Sequence, residues 1–299
     1  MEPSANLTPE ERLVEQRARA NLERNLAALA QAYRSQFGSE ISTDNAREIV
    51  SPEYAASREG RTQWSRATQK PAGALADHLF EQALRRPDPA KPRVVLMTAG
   101  GTGAGKTTVL SGNPEFSDAQ FVYDSNLGSK QSSVRKIEAA EAAGNQVEVV
   151  FVHRDPIEAL TGGVLPRAMT EGRIVDLEAH ARMYRDSAEN FGYLIRRFFS
   201  DPNVRFKAID NSTGVEGARR MPLERASRIR YSTSVLRPKL RVALENEYAQ
   251  GRISEAVYRA TLGAPSPKTP GGVPRDSGPG GAPAGSEGPS GGGLLGDAG

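Results

Sequence analysis

Apolar positions along this chain follow two periods, one helical and one of short unbroken runs. Leu22, Leu26, Leu29, Tyr33 and Phe37 recur at spacings of four, three, four and four, one apolar face of a helix. Thr8-Pro9-Glu10-Glu11 opens that helix, with Thr8 as N-cap, Pro9 at the first helical position and Glu11 placed for a capping box. Gly38 ends it. A short second helix is predicted from Thr43, as cap, to Val50, stopped by Pro52. Positions 54–70 are polar and show no clear period. A third helix, about 72–86, carries Leu75, Leu79, Phe80, Ala83 and Leu84 on one side, and Pro87, Pro89 and Pro92 end it.

Four short apolar runs follow, at 94–97, 120–123, 147–152 and 204–209. Each is too short for a helix and suits a buried strand. Helical pattern lies between them, at 130–143, closed by Gly144, and across most of 172–200, where Tyr184, Ala188, Phe191, Ile195 and Phe198 alternate spacings of four and three. Strands alternating with helices predict an α/β fold: a mainly parallel sheet with helices on both faces, a three-layer core. A helical pair turned at Gly251 is expected over 236–262. From 263 on, about half the residues are Gly or Pro with no apolar period, a composition expected to be disordered.

The first run leads into Gly100-Gly101-Thr102-Gly103-Ala104-Gly105-Lys106-Thr107, which fits the P-loop pattern G-x-x-x-x-G-K-[ST] without a mismatch. Such glycines let backbone N–H groups turn inward on a nucleotide's phosphates, and the helix that follows adds its positive end. Lys106 is expected on the β/γ-phosphates and the Thr107 hydroxyl on Mg²⁺. The alternative is a glycine-rich turn that matches by chance, which the strand before and the helical sequence after make the poorer reading.

Composition narrows the rest. Lys+Arg 39 against Asp+Glu 36 leaves a net charge of +3, so nothing argues for nucleic acid as a partner. The absence of cysteine removes disulfides, thiolate metal sites and a Cys nucleophile, and suits a reducing compartment. No run approaches the ~20 apolar residues that span a bilayer, and MEPSANLTPEERL holds no signal-peptide core. A cytoplasmic protein with no membrane contact is expected, with delivery as an effector left open.

In α/β sheets ligands sit beyond the carboxyl ends of the strands, which singles out Asp124, His153 and Asn211. Asp124, in FVYDSN, reads either as a general base on a substrate hydroxyl, touching a Mg²⁺-bound water, or as a turn residue; its nearness to the phosphates favours the base. Arg167 and Arg173 flank a Gly-containing segment and are suited to closing over a triphosphate, though surface arginines are common. Asp155-Pro156-Ile157-Glu158 reads as a helix start, and His78 and His180 as structural residues. FKAID at 206–210 lacks the Glu with which hydrolysing ATPases orient water, which leans toward transfer onto a substrate.

Together the P-loop, Asp124, the run GRIVDLEAH at 172–180, Ser187-Ala188-Glu189-Asn190 and the Asn211 region resemble the zeta toxin family of P-loop kinases, over about 92–214. The resemblance implies an ATP site at Gly100, Gly101, Thr102, Gly103, Ala104, Gly105, Lys106, Thr107 and Thr108. It implies Asp124 as the base and Thr107 at Mg²⁺, which Asp124 would meet through water; Asn126 is a further candidate for the acceptor, and His153, from its place at a strand end, reads either as a substrate contact or as a packed or solvated histidine, the commoner case. Arg173 matches an arginine acting on the ATP phosphates and Arg167 a second one, at a shorter spacing than the family's. The family phosphorylates a hydroxyl of UDP-N-acetylglucosamine and is restrained by a small antitoxin; similar effector kinases act on nicotinamide dinucleotides. The resulting expectation is a helical N-terminal region at 1–90, a kinase core at 91–235, a hairpin at 236–262 and a tail at 263–299. A rival reading is a nucleotide-gated binding module whose partner surface is built from the N-terminal helices.

Overall fold

Thr8 does cap the first helix: its hydroxyl accepts from Glu11 N–H, and the Glu11 carboxylate accepts from Thr8 N–H at 2.8 Å. In the computed structural model, which describes residues 4, 7–111 and 119–263, this helix is α1 (Pro9–Phe37). It ends at Gly38, whose φ of 64° needs a residue without a Cβ. The second helix, α2 (Thr43–Val50), is capped by Ser42 rather than Thr43, because residues 40–42 are extended. They form β1 (Glu40–Ser42), a strand too short and too polar to show a period. Pro52 does not only stop α2 but opens a short helix, α3 (Pro52–Ala55), which runs into the featureless stretch 54–70, and that stretch holds a second, α4 (Arg58–Trp64); serine caps, Ser51 and Ser57, open them. Then α5 (Gln69–Arg85) follows, three residues earlier than its apolar face suggested.

The remaining order is β2 (Val94–Ala99), α6 (Lys106–Ser111), β3 (Phe121–Asp124), α7 (Lys130–Ala142), β4 (Gln146–His153) and α8 (Pro156–Ala159). A π-turn at Leu160–Val164 leads to α9 (Leu165–Glu171), α10 (Leu177–Arg197) and β5 (Val204–Asp210). A 3₁₀ turn at Val215–Gly217 precedes β6 (Arg219–Arg220), α11 (Leu223–Ser227), α12 (Thr233–Ala249) and α13 (Glu255–Thr261). The expected hairpin is α12 and α13, turned at Gly251 with φ 68°. The glycine-rich tail lies outside the described residues, as does the whole of a second unit, Pro267–Gly299.

Six strands lie in the order β1-β3-β2-β4-β5-β6, parallel except for β6, which runs antiparallel to β5. The α/β expectation therefore holds, with two short edge strands added. One is β1, which pairs Ser42 with Asp124 and so belongs to the same sheet as the core. On one face Val95, Met97, Phe121, Val149 and Phe151 pack under α1, α5, α7 and α10. On the other, Leu96, Val150, Val152 and Ile209 pack with Val109 and Leu110 of α6. A separate cluster joins α8, α9 and α10 to α12 and α13 through Leu160, Leu165, Ala181, Leu240 and Leu244. No helix among the described residues is long and apolar enough to cross a membrane.

Candidate active site

β2 delivers the chain into the glycine-rich loop, and α6 begins at Lys106. Gly103 takes φ 77°, and a Cβ there would lie 2.5 Å from the Ala159 carbonyl oxygen, so the loop rests directly on α8. Lys106 Nζ folds back to donate to the carbonyls of Gly100 at 3.3 Å and Gly101 at 3.4 Å, which puts the ammonium inside the arc of the loop. Three side chains from later elements fix the loop from outside. Gly100 N–H donates to the buried Ser187 Oγ at 2.7 Å, Asn211 Nδ2 to Ala104 O at 2.8 Å, and Arg154 Nη1 to Gly103 O at 3.4 Å. Thr102 donates to Met183 Sδ at 2.9 Å, while Thr107 and Thr108, on the first turn of α6, are exposed.

Asp124 is the last residue of β3 and is half-buried. Its Oδ1 accepts from the Thr98 hydroxyl at 2.6 Å, and Thr98 Oγ1 also accepts from Ser125 N–H at 3.0 Å. Because Thr98 stands two residues before Gly100 on β2, the carboxylate is tied to the strand that carries the loop. The chain beyond Asp124 is held in a rare shape: Leu127 is buried with φ 47°, in the left-handed region that suits glycine. Asn190 Nδ2 donates to Leu127 O at 2.5 Å and keeps it there. Asn126, half-buried between Ser125 and Leu127, belongs to this clamped loop.

Arg167 and Arg173 converge on α2. Arg173 Nη2 lies 2.8 Å from Glu48 Oε1, and its Nε is 3.4 Å from Glu171. Burial pulls the Arg173 pKa down, but the bond to Glu48 and the field of Asp44 raise it overall. Arg167 reaches Asp44 at 3.8 Å and Glu171 at 3.6 Å. Burial disfavours the charged Asp44 carboxylate, yet Arg47, Arg167, Arg173 and Lys106 together outweigh it and hold its pKa below the ordinary carboxylate range. The Asp44 carboxylate thus lies in the field of Lys106 as well as of both arginines.

His153 ends β4, as expected, but its Nδ1 is 3.2 Å from the Tyr231 hydroxyl and its ring stacks at 6.5 Å on Phe151. That places it on the sheet face away from α6, next to Asp210, its register partner on β5. Burial lowers its pKa, against the opposing pull of Asp210. Its partners here are Tyr231 and Asp210, and none of its contacts joins it to Asp124.

The residues present suit a magnesium nucleotide. The loop's glycines leave the backbone bare, Lys106 is aimed into the arc, and the exposed Thr107 follows it on α6. Among the described residues no group of three or more His, Cys, Asp or Glu gathers to hold a metal. Mg²⁺ beside a nucleotide needs no such cage, since one hydroxyl, one carboxylate, waters and phosphate oxygens complete its six positions. Thr98 and Glu48 lay outside the sequence reading, and Ser187 and Asn190 entered it only as part of a motif, with no positioning role. Ser187 and Asn190 did carry a signal, two polar residues inside the buried stripe of α10. Glu48, on a short polar helix, carried none.

Among curated proteins none matches this chain. Among solved structures, the native AvrRxo1-ORF1:-ORF2 complex is 15% identical, with a TM-score of 0.36, covering 62% of this chain and 80% of that one. The AvrRxo1-ORF1:AvrRxo1-ORF2 structure with sulphate ions is 13% identical, with a TM-score of 0.39, covering 87% and 86%. Residues 117–214 match the family model described as Zeta toxin, a span that begins after the glycine-rich loop and takes in Asp124, both arginines and Asn211. Over that span the chain is similar to the zeta toxin family, in line with the resemblance read from its motifs.

Proposed function

We propose that this protein is a Mg²⁺- and ATP-dependent kinase of the zeta toxin type, transferring a phosphoryl group to a hydroxyl of a nucleotide sugar, UDP-N-acetylglucosamine first among candidates. The observation that carries the reading is the Thr98–Asp124 bond, which sets a carboxylate beside the strand that feeds the Lys106 loop. A loop with no acid beside it binds a nucleotide; one with an acid in place can also take a proton from an acceptor. Bound Mg²⁺ supplies charge neutralisation between the phosphates. Lys106 and the loop N–H groups hold the β- and γ-phosphates. Asp124 accepts the acceptor hydroxyl proton, and Arg173 with Arg167 balances charge on the moving group. Asn126, on the loop that leaves Asp124, is the residue assigned to the acceptor in this reading. Toxicity to a host cell, restraint by a small antitoxin, and action inside a cytoplasm belong to the same proposal.

A nicotinamide dinucleotide is the second acceptor to test, since its ribose hydroxyls offer the same chemistry. ATP consumption would be followed with each acceptor and with none, and products identified by mass spectrometry. Phosphorylated UDP-N-acetylglucosamine or dinucleotide, absent from a Lys106→Ala protein, is the expected result. ATP binding without consumption in any arm, or in a metabolite extract, would favour the nucleotide-gated module instead.

A further inference from the structure

The backbone of the segment that bears both candidate arginines is tied to the N-terminal region by a row of side-chain hydrogen bonds. Four side chains on α4 or the residue after it donate to its backbone. Arg58 Nη1 bonds Met169 O at 3.0 Å, Arg61 Nε bonds Glu171 O at 2.6 Å, Thr62 Oγ1 bonds Gly172 O at 3.1 Å and Ser65 Oγ bonds Ile174 O at 3.3 Å. Gly172 permits the approach: its φ is 76°, and a Cβ there would stand 2.8 Å from the Arg58 carbonyl carbon. With the backbone fixed this way, the Arg173 guanidinium still has free rotations; Glu171, 3.4 Å from its Nε, and the closer Glu48 of α2 restrict them. The Arg173–Glu48 bond is 2.8 Å, and the two side chains are only 21% and 20% exposed.

We infer that Glu48 is a positioning residue for Arg173, and that α2 and α4 form the seat on which the arginine segment is built into the phosphate site. The inference rests on the kinase reading above and assigns the N-terminal region a place in that chemistry. A guanidinium with one of its forks fixed by a carboxylate points its remaining N–H groups in a set direction. Preset direction matters most where charge develops only in the transition state, so Glu48 acts on turnover more than on nucleotide affinity. Asp44 keeps Arg167 in the same space at longer range, 3.8 Å. The opposite role, an acid that occupies Arg173 until a phosphate displaces it, makes the opposite forecast for rate.

The experiment is a double-mutant cycle on the full chain, following ADP release with UDP-N-acetylglucosamine or NAD as acceptor. Glu48→Ala should lower kcat about tenfold, with KM for ATP changed less than about twofold, because a charge-assisted bond orients Arg173. In an Arg173→Ala background the same change should cost less than about twofold, since nothing is left to position. Equal losses in both backgrounds would show that Glu48 serves only the fold, and a faster Glu48→Ala protein would make it an inhibitory contact; either overturns the inference. Should Glu48→Ala melt early, Glu48→Gln, of the same size, replaces it. Arg173→Ala without effect would count against the arginine's assigned role in the kinase reading. If no acceptor supports turnover, hydrogen exchange over 165–174 still judges the seat. Faster exchange in Glu48→Ala is expected there, and unchanged protection overturns it.

Discussion

Thr98 and Asp124 lie on adjacent strands, and the hydroxyl of the first donates to the carboxylate of the second at 2.6 Å. The same hydroxyl accepts from Ser125 N–H at 3.0 Å, so one side chain sets both the carboxylate and the exit of the chain from β3. A carboxylate carried on a strand end is otherwise free to rotate about two torsions. Thr98 stops that rotation at the strand feeding the phosphate loop.

Thr98→Val keeps the shape of the side chain and removes the hydroxyl. Hydrogen bonds to charged groups contribute about 1.5–3 kcal/mol, so kcat should fall about tenfold or more while ATP affinity stays near its starting value. Thr98→Ser should restore most of the rate. Initial rates at saturating ATP, with calorimetric ATP binding on the same samples, measure both. An unchanged rate in Thr98→Val would mean that Asp124 is held by other means.

Asn190→Ala tests the clamp on the acceptor loop. Leu127 O would be left buried without its donor, at a cost of about 1–3 kcal/mol, and Leu127 would be freer to leave its left-handed backbone. Urea unfolding should show that loss of stability, and KM for the acceptor should rise more than KM for ATP. Equal effects on the two KM values would place the role of Asn190 in the fold alone.

Much of this was legible in the chain, for physical reasons that differ by element. The phosphate loop was legible because its function demands glycine at fixed places, and α1 because Thr8, Pro9 and Glu11 each have a specific capping role. β4 was legible because a strand buried on both faces must be nearly all apolar. β1 was not, since three residues at a sheet edge need only backbone pairing, and Glu40 and Ser42 look like loop. α3 and α4 were missed because helices of one or two turns have no room for an apolar period, although Ser51 and Ser57 were visible caps. Partner choice escaped in the same way. His153 was correctly placed at a strand end, but period two sends its side chain to the Phe151 face, where Tyr231 waits. The arginines were named, while Glu48, 125 residues away from Arg173, was invisible without the fold.

One buried histidine, His180, and one half-buried, His153, should make the fold sensitive to mild acid. Burial lowers the pKa of His153, with Asp210 opposing, and of His180, where the bond to Pro156 O opposes. Each folded-state pKa thus lies below its unfolded value of about 6.5. As the pH falls through that value the unfolded chain takes up protons that the folded chain refuses, so stability drops until the folded pKa values are passed. Melting temperature should be flat above about pH 7 and decline below about 6.5. A His153→Gln, His180→Gln protein should have a lower but flatter profile across the same window. A decline of unchanged slope in that variant would trace the acid sensitivity to carboxylates instead.

Asp124→Asn separates a base from a residue that merely binds. The exchange keeps the size of the side chain and an oxygen for Thr98 to donate to, so the β3 exit and the phosphate loop should be undisturbed. It removes the one property that a proton acceptor needs. Bases of this kind contribute roughly 10²–10⁴-fold, and positioning supplies much of the remaining acceleration in phosphoryl transfer. The expected result is therefore a kcat lowered by that factor, with ATP binding by calorimetry nearly unchanged, because Lys106 and the backbone of residues 100–105 hold the phosphates. Any growth arrest caused by expressing the wild-type chain in a bacterium should vanish with the same substitution. Because Thr98→Val perturbs the direction of the carboxylate and Asp124→Asn its basicity, the pair is informative together. Combining them should cost little beyond Asp124→Asn alone, since there is no longer a base to aim. A fall of less than about threefold in Asp124→Asn, far below the range for general bases, would return Asp124 to the status of a turn residue. The loop at Lys106 would then stand as a nucleotide site without an acceptor chemistry attached to it.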